Sequence, residues 1–271
     1  MSALTLTLKT SPQQRIDMGS VTPDALADLS PEQFAALELW QGNRKYRLDE
    51  LFDIDGDDRD QIVIRNSHRT LDRLGAEMTR GSLTVEGDVG DYAGQNMSGG
   101  LLQISGNSGS HAGAGLSGGR IEIGGDAGNC LGGAAPGDKL GMRGGLILVR
   151  GNAGDRVGDR LRRGMILIEG DTGNYCASRM VAGTIAVLGR TGSGMGLGMK
   201  RGTIILKQTP GGLPPTFSDD GDYQLSFLTL MLSSWHQLDS RFAGLDPARC
   251  TARRYTGDRG SAGLGEILVL N

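Results

Sequence analysis

Gly164-Met165-Ile166-Leu167-Ile168-Glu169-Gly170-Asp171-Thr172-Gly173-Asn174-Tyr175-Cys176-Ala177-Ser178-Arg179-Met180-Val181-Ala182 ends, and Gly183-Thr184-Ile185-Ala186-Val187-Leu188-Gly189 begins the same pattern again. The aliphatic opener of the unit recurs at Leu83, Leu102, Ile121, Ile147, Ile166, Ile185 and Ile204. Five of the six gaps are 19 residues, and the gap from Ile121 to Ile147 is 26, one period plus seven inserted residues. A fixed short period marks a solenoid, whose units bury their apolar faces only by stacking on one another.

Two residues after each opener stand Val85, Ile104, Ile123, Val149, Ile168, Val187 and Leu206. Each aliphatic pair brackets one residue, the alternation of a strand with one buried face. A Gly-Asx turn follows (Gly87-Asp88, Gly106-Asn107, Gly125-Asp126, Gly151-Asn152, Gly170-Asp171), becoming Gly189-Arg190 in the last unit. Further glycines follow at regular offsets, as in Gly90 and Gly94 of the first unit, with Ala177 in one of the slots. Glycine suits positive φ and close backbone approach, and Asx bonds its own backbone in turns. Met97, Leu116, Met142, Leu161, Met180 and Met199 form another apolar column, expected to lie on a second short strand facing the interior. Nineteen glycine-rich residues do not accommodate strand, loop and two-turn helix. The expected fold is therefore all-β: a single-stranded parallel β-helix with coils of about 19 residues. It is right-handed by the default of parallel connections.

Glycine supplies 46 of 271 residues, periodically rather than as low complexity, and aromatics only 4%. The period divides the chain into residues 1–60, a strand and helix cap; 61–207, the β-helix; and 208–271, a C-terminal extension. The caps are expected to be small α+β segments. Leu4, Leu6 and Leu8 alternate, Ser30-Pro31-Glu32 opens a helix, residues 223–238 read as another helix, and Glu266–Leu270 as a last strand. A degenerate first coil begins at Ile62-Val63-Ile64. A net charge of −3 excludes a generally basic nucleic-acid binder. The absence of a leader or of 18 consecutive apolar residues points to a soluble cytoplasmic chain without membrane contact. Cys130, Cys176 and Cys250 lack metal-ligand spacing and are expected to be reduced thiols.

No catalytic or metal-ligating constellation emerges. Gly189–Gly198 has phosphate-loop texture but lacks the Lys-Ser/Thr and the following helix, so it reads as a corner. His111 has no recurring acid beside it and reads as a solvated corner residue; the Asx column reads as a turn ladder rather than a calcium roll. Two surface features remain. Arg80, Arg143, Arg162, Arg163, Lys200 and Arg201 precede coil-closing glycines and should stack as a broken basic stripe, suited to an anionic ligand or an acidic partner, or simply to a solvated edge. The outward strand column turns from Thr84, Gln103 and Glu122 to Leu148, Leu167, Ala186 and Ile205. Outward apolar residues over four coils need a cover, either the 223–238 helix or another subunit, and are read as a docking surface.

The G-[DN]-x-G-x-x-x-G coils resemble the C-terminal β-helix of glutamate synthase large subunits, and more closely the C subunit of formylmethanofuran dehydrogenase. The flanks Gly42-Asn43-Arg44 through Leu48–Gly56, and Arg254–Asp258 with Gly263–Val269, resemble the entry and exit segments of that C subunit. The resemblance implies a right-handed β-helix without catalytic residues or a cofactor of its own, a scaffold in an enzyme complex. In the bacterial form it implies transfer of a formyl group from formyl-tetrahydromethanopterin to a methanofuran-type cofactor, followed by hydrolysis to formate. The implied partners are a formyltransferase subunit, an amidohydrolase-like subunit and a molybdopterin-enzyme-like subunit, with cofactor and metal held in those partners. The basic stripe could then hold the cofactor's polyglutamyl tail. A tungsten or molybdenum formylmethanofuran dehydrogenase subunit, or an independent carbohydrate-active β-helix, are the alternatives. The latter would need paired carboxylates on one face, where the coils offer Glu122 alone, with Glu86 and Glu169 four coils apart.

Overall fold

The fold is that of a computed structural model describing residues 2–248 and 250–271. It opens with β1 (Ala3–Leu8), β2 (Ile16–Asp17), α1 (Pro23–Leu26), α2 (Pro31–Ala35), β3 (Glu38–Gln41), β4 (Arg44–Arg47), α3 (Leu48–Leu51) and β5 (Phe52–Asp55). The stacked strands follow: β6 (Asp58–Ser67), the short β7 (Leu71–Asp72), β8 (Ser82–Gly87), β9 (Leu101–Ile104), β10 (Arg120–Ile123), β11 (Arg143–Val149), β12 (Arg163–Ile168), β13 (Thr184–Val187) and β14 (Arg201–Leu206). The chain ends with β15 (Ser218–Gln224), α4 (Ser226–Trp235), β16 (Thr251–Gly257) and β17 (Leu264–Leu270).

One 13-stranded, mostly parallel sheet runs the length of the solenoid. Its register is the sequence period: Leu83 pairs with Leu102, Leu102 with Ile121, Ile121 with Ile147, Ile147 with Ile166, Ile166 with Ile185 and Ile185 with Ile204. The openers and the aliphatics two residues on are buried in one core. The stack continues past residues 61–207 on both sides. Leu4 of β1 pairs in parallel with Ile62, and Ile267 of β17 takes the place above Ile204 although 63 residues separate them in sequence. Antiparallel strands then close the sheet, β5 beside β1 at one end, and β16 beside β17 with β15 beside β16 at the other. A small second sheet, in the order β4-β3-β2-β7, seals the N-terminal end. Ser30 caps α2 through a reciprocal bond pair with Gln33, but the helix stops at Ala35, and Leu39 belongs to β3.

The expected second strand is not a strand. The methionine and leucine column is buried, yet it lies just past the turns and outside any strand. Only single bridges link coils on that side, at Ser108, Ala127, Ala153, Thr172 and Thr191. The reason is backbone handedness: Tyr92, Gly94 and Asn96 have φ of 62°, 65° and 55°, and later coils repeat the pattern. Alternating left-handed residues send successive N–H groups up and down rather than along an extended ladder. Tyr92 N donates up to Ser110 O (2.9 Å), Gly94 N down to Leu74 O (2.8 Å), and Asn96 N up to Ala114 O (2.8 Å). The first-corner glycines have a different cause. Gly106 lacks a positive φ, but a Cβ there would sit 2.6 Å from the Gly87 carbonyl of the coil beneath.

Candidate functional site

The Asx column forms a hydrogen-bonded ladder. Asp88 Oδ1 accepts from Asn107 N (2.8 Å), Asn107 Oδ1 from Asp126 N (2.7 Å), Asp126 Oδ1 from Asn152 N (2.6 Å), Asn152 Oδ1 from Asp171 N (2.9 Å) and Asp171 Oδ1 from Arg190 N (2.7 Å). A second ladder, not read from the sequence, runs three residues later: Asp91 accepts from Ser110 N, Asn129 from Asp155 N, Asp155 from Asn174 N and Asn174 from Ser193 N. The signal was present as Asx or Ser after the second corner glycine. Both ladders use the carboxylates structurally.

His111 does not stand free. Its left-handed backbone (φ 61°) stacks its ring on Tyr92, with centroids 5.0 Å apart. Burial lowers its pKa, partly offset by nearby Asp91. One coil column thus holds Tyr92, His111, Cys130, Arg156 and Tyr175, all with positive φ, and Arg156 lies over the Tyr175 ring at 5.8 Å. Cys130, Cys176 and Cys250 are free thiols. Among the described residues, no group of three or more His, Cys, Asp or Glu is placed to hold a metal ion. No described helix is long and apolar enough to cross a membrane. Gly189–Gly198 forms the corner of the coil that begins at β13.

The basic stripe is only partly assembled. Arg162, Arg163, Lys200 and Arg201 line one open groove of about 380 Å³ with Val181, Ala182, Ala262 and Leu264. Arg143 is in register with Arg163 at the start of β11 and β12. No carboxylate among the described residues forms an ion pair with these cations; the pairs lie elsewhere on the chain. Arg80 does not join them. It faces Asp24 at 3.7 Å and Asp60 at 3.9 Å in the N-terminal region.

The outward apolar column is covered by this chain. Leu148, Leu167, Ala186 and Ile205 share a second core with Leu228, Leu232 and Trp235 of α4, and with Phe242, Cys250, Ala252, Leu268 and Leu270. Trp235 Nε1 donates to Met165 Sδ (3.0 Å), and its ring meets Phe242 edge-on at 5.2 Å. Buried Glu169 accepts from Arg241 N (2.7 Å), and Arg150 pairs with Asp239 at 2.9 Å. No partner can therefore dock directly on Leu148, Leu167, Ala186 and Ile205. Their demand for cover is met within the chain, by the helix that is one of the two covers expected for them. What remains outside is the exposed face of α4, with Phe227 and Leu230.

This geometry has a full-length counterpart. A crystal structure of the formyltransferase/hydrolase complex FhcABCD from Methylorubrum extorquens, in complex with methylofuran, contains a chain that superposes with a TM-score of 0.93. That chain is 42% identical, and the match covers 98% of this chain and 99% of that one. The C subunit of that organism's formyltransferase/hydrolase complex Fhc is 42% identical over 86 residues. The chain belongs to the C-subunit family of these complexes. The family also joins the archaeal proteins: the C subunit of the tungsten-containing formylmethanofuran dehydrogenase 2 of Methanococcus maripaludis is 35% identical over 94 residues. The aligned stretches span about a third of these two curated relatives, 32% and 35% of their lengths, and 32% and 34% of this chain. The GXGXG motif family matches residues 102–218, from β9 to the start of β15. In this C-subunit chain the repeating glycine corners are thus the family motif, and α4 with β16 and β17 lies beyond it.

Proposed function

We propose that this chain is the non-catalytic scaffold subunit of a cytoplasmic complex of the formyltransferase/hydrolase type. That complex would move a formyl group from formyl-tetrahydromethanopterin to a methanofuran-type cofactor and hydrolyse it to formate. The observation that carries the reading is the likeness to a chain of the FhcABCD complex along nearly the whole length of both. The chemistry of the chain agrees with it. The corner carboxylates of Asp88, Asp126 and Asp171 are committed to coil-to-coil bonds, and Glu169 and Asp159 are committed to anchoring contacts. A right-handed β-helix of 19-residue coils, capped by residues 1–60 and 208–271, would give partners a rigid spine. The partners would be a formyltransferase subunit, an amidohydrolase-like subunit and a molybdopterin-enzyme-like subunit, which would carry the cofactor and any metal.

Within that reading, the groove of Arg162, Arg163, Lys200 and Arg201, with Arg143 beside it, serves an anionic ligand or an acidic partner surface. Clustered guanidinium and ammonium groups without carboxylates favour anions by summed potential. Co-expression with the candidate partners tests the function: a stable stoichiometric complex with formyl-transferring activity, and no activity of this chain alone, is expected. Turnover of a formylated cofactor or a polysaccharide by the lone chain would overturn it.

A further inference from the structure

The left-handed wall of the solenoid has an open end. In each coil, two upward N–H groups of this wall meet carbonyls of the coil above. Ser108 N donates to Asp126 O, Ala127 N to Asn152 O, Ala153 N to Asp171 O and Thr172 N to Arg190 O. Likewise His111 N donates to Asn129 O, Cys130 N to Asp155 O, Arg156 N to Asn174 O and Tyr175 N to Ser193 O. A third donor completes the set in the later coils, where Arg160 N reaches Ser178 O and Arg179 N reaches Leu197 O.

In the last coil the same three positions are Thr191, Gly194 and Gly198. No coil stands above them on this wall, because the chain leaves the period and β17 restores only the β wall. Gly198 N is met by a substitute, the carboxylate of Asp258, at 2.8 Å. Asp258 is 3% exposed and also accepts from Gly260 N at 2.8 Å. Burial opposes its charge, yet the surrounding donors hold the carboxyl below its ordinary range. For Thr191 N and Gly194 N, no acceptor is found among the described residues. The Thr191 hydroxyl is also without a partner. Both donors line an open groove of about 510 Å³ with Gly192, Ser193, Leu197 and the Gly211–Pro214 segment.

The charge at this end also changes. Every lower rung of the first ladder carries Asp or Asn, whose oxygen serves the rung above; the last rung carries the exposed Arg190. We propose that the Arg190–Gly194 corner is a docking point for an acidic side chain of a partner subunit. Its carboxylate takes an unpartnered N–H of this corner, that of Thr191 or that of Gly194, as Asp258 takes Gly198, with Arg190 as counter-charge. Unpaired backbone N–H groups bind carboxylates, and unpaired edges recruit other chains. A second copy stacked end to end does not fit, because the opposite end of the wall is closed. Gly90 N already uses Leu71 O, and Ile16 N and Met18 N cover Thr70 O and Asp72 O.

This inference rests on the reading of the chain as part of a multi-subunit complex. Hydrogen exchange with mass spectrometry, on the chain alone and in the co-expressed complex, tests it. The Thr191 and Gly194 amides, unlike the bonded Arg190, Gly192 and Ser193 amides between and beside them, are expected to exchange freely in the lone chain and slowly in the complex. Arg190→Glu should abolish that protection and weaken association by about tenfold, with protection elsewhere in the complex retained. Failure of any complex to form would count against the scaffold function itself. Assembly with unprotected Thr191 and Gly194 amides would overturn only the docking point. Protection in the lone chain that grows with its concentration, or on adding acetate, would also overturn it, by assigning the corner to a second copy or to a free anion.

Discussion

Replacing Trp235 by Ala tests whether α4 is a fixed cover or a loose appendage. Trp235 is 2% exposed and lies between the outward column of β11–β14 and Phe242. A buried indole removes about 150–250 Å² from water, worth about 4–6 kcal/mol at about 25 cal/mol per Å². Measured truncations of buried aromatics cost about 3–5 kcal/mol, so about 4 kcal/mol is the expected local loss. The edge-on contact with Phe242 and the bond to Met165 Sδ are included in that figure rather than added to it. The loss should fall on the cover, because the β-helix core is a separate cluster closed without this residue. Hydrogen exchange should therefore rise across residues 226–242 while β12 and β13 stay protected, and a hydrophobic dye should bind the uncovered Leu148–Leu167–Ile205 column. Trp235→Phe keeps an aromatic ring against Phe242 but gives up the bond to Met165 Sδ, and should lose less than the Ala variant. An Ala variant with native exchange over 226–242 and no dye binding would refute the assignment of this core.

Further tests follow from single contacts. Gly106→Ala and Gly113→Ala should differ, although both are corner glycines. The first drives a Cβ into the Gly87 carbonyl of the coil below and should cost at least about 3 kcal/mol in urea unfolding. The second meets only the tip of Ile147 at φ +68°, in a column where Ala177 already sits at φ +59°, so about 1–2 kcal/mol is expected. Ser108→Ala should be neutral or stabilise by up to about 1 kcal/mol, since its buried hydroxyl has no partner and Ala127 and Ala153 occupy the same column. Burial pushes the Cys176 thiol up to about 12 from 9.0, with Thr172 acting in the opposite direction. Because the folded pKa is raised, this contribution to stability is complete below about pH 9 and is lost as pH rises through about 12. Native Cys176 should accordingly resist alkylation at pH 9, where the unfolded chain reacts. Arg162→Glu with Arg163→Glu should weaken binding of an anionic cofactor tail in the complex while leaving assembly intact; equal loss of both, or of neither, would reject the groove as its site.

The solenoid, its register and its inner wall were legible in the sequence because stacking makes them local. Leu83, Leu102, Ile121 and their successors must align if each coil is to bury the next, and one period states that for every coil at once. The ladder role of Asp88 and Asn107 followed from the same repetition. Residues outside the period had no such constraint. That Ile267 would stand above Ile204, that α4 rather than another subunit would cover Leu148 and Leu167, and that Asp258 would take the N–H of Gly198 depend on contacts across 60 or more residues, which no spacing encodes. The turns that lead into the Met97 column, and the lack of a strand there, were hidden for another reason: non-glycine residues such as Tyr92 and Asn96 adopt positive φ only because the neighbouring coils hold their N–H groups in place. Periodic side chains specified the stack, whereas the path of the chain after its last repeat decided which of its surfaces remain open to a partner.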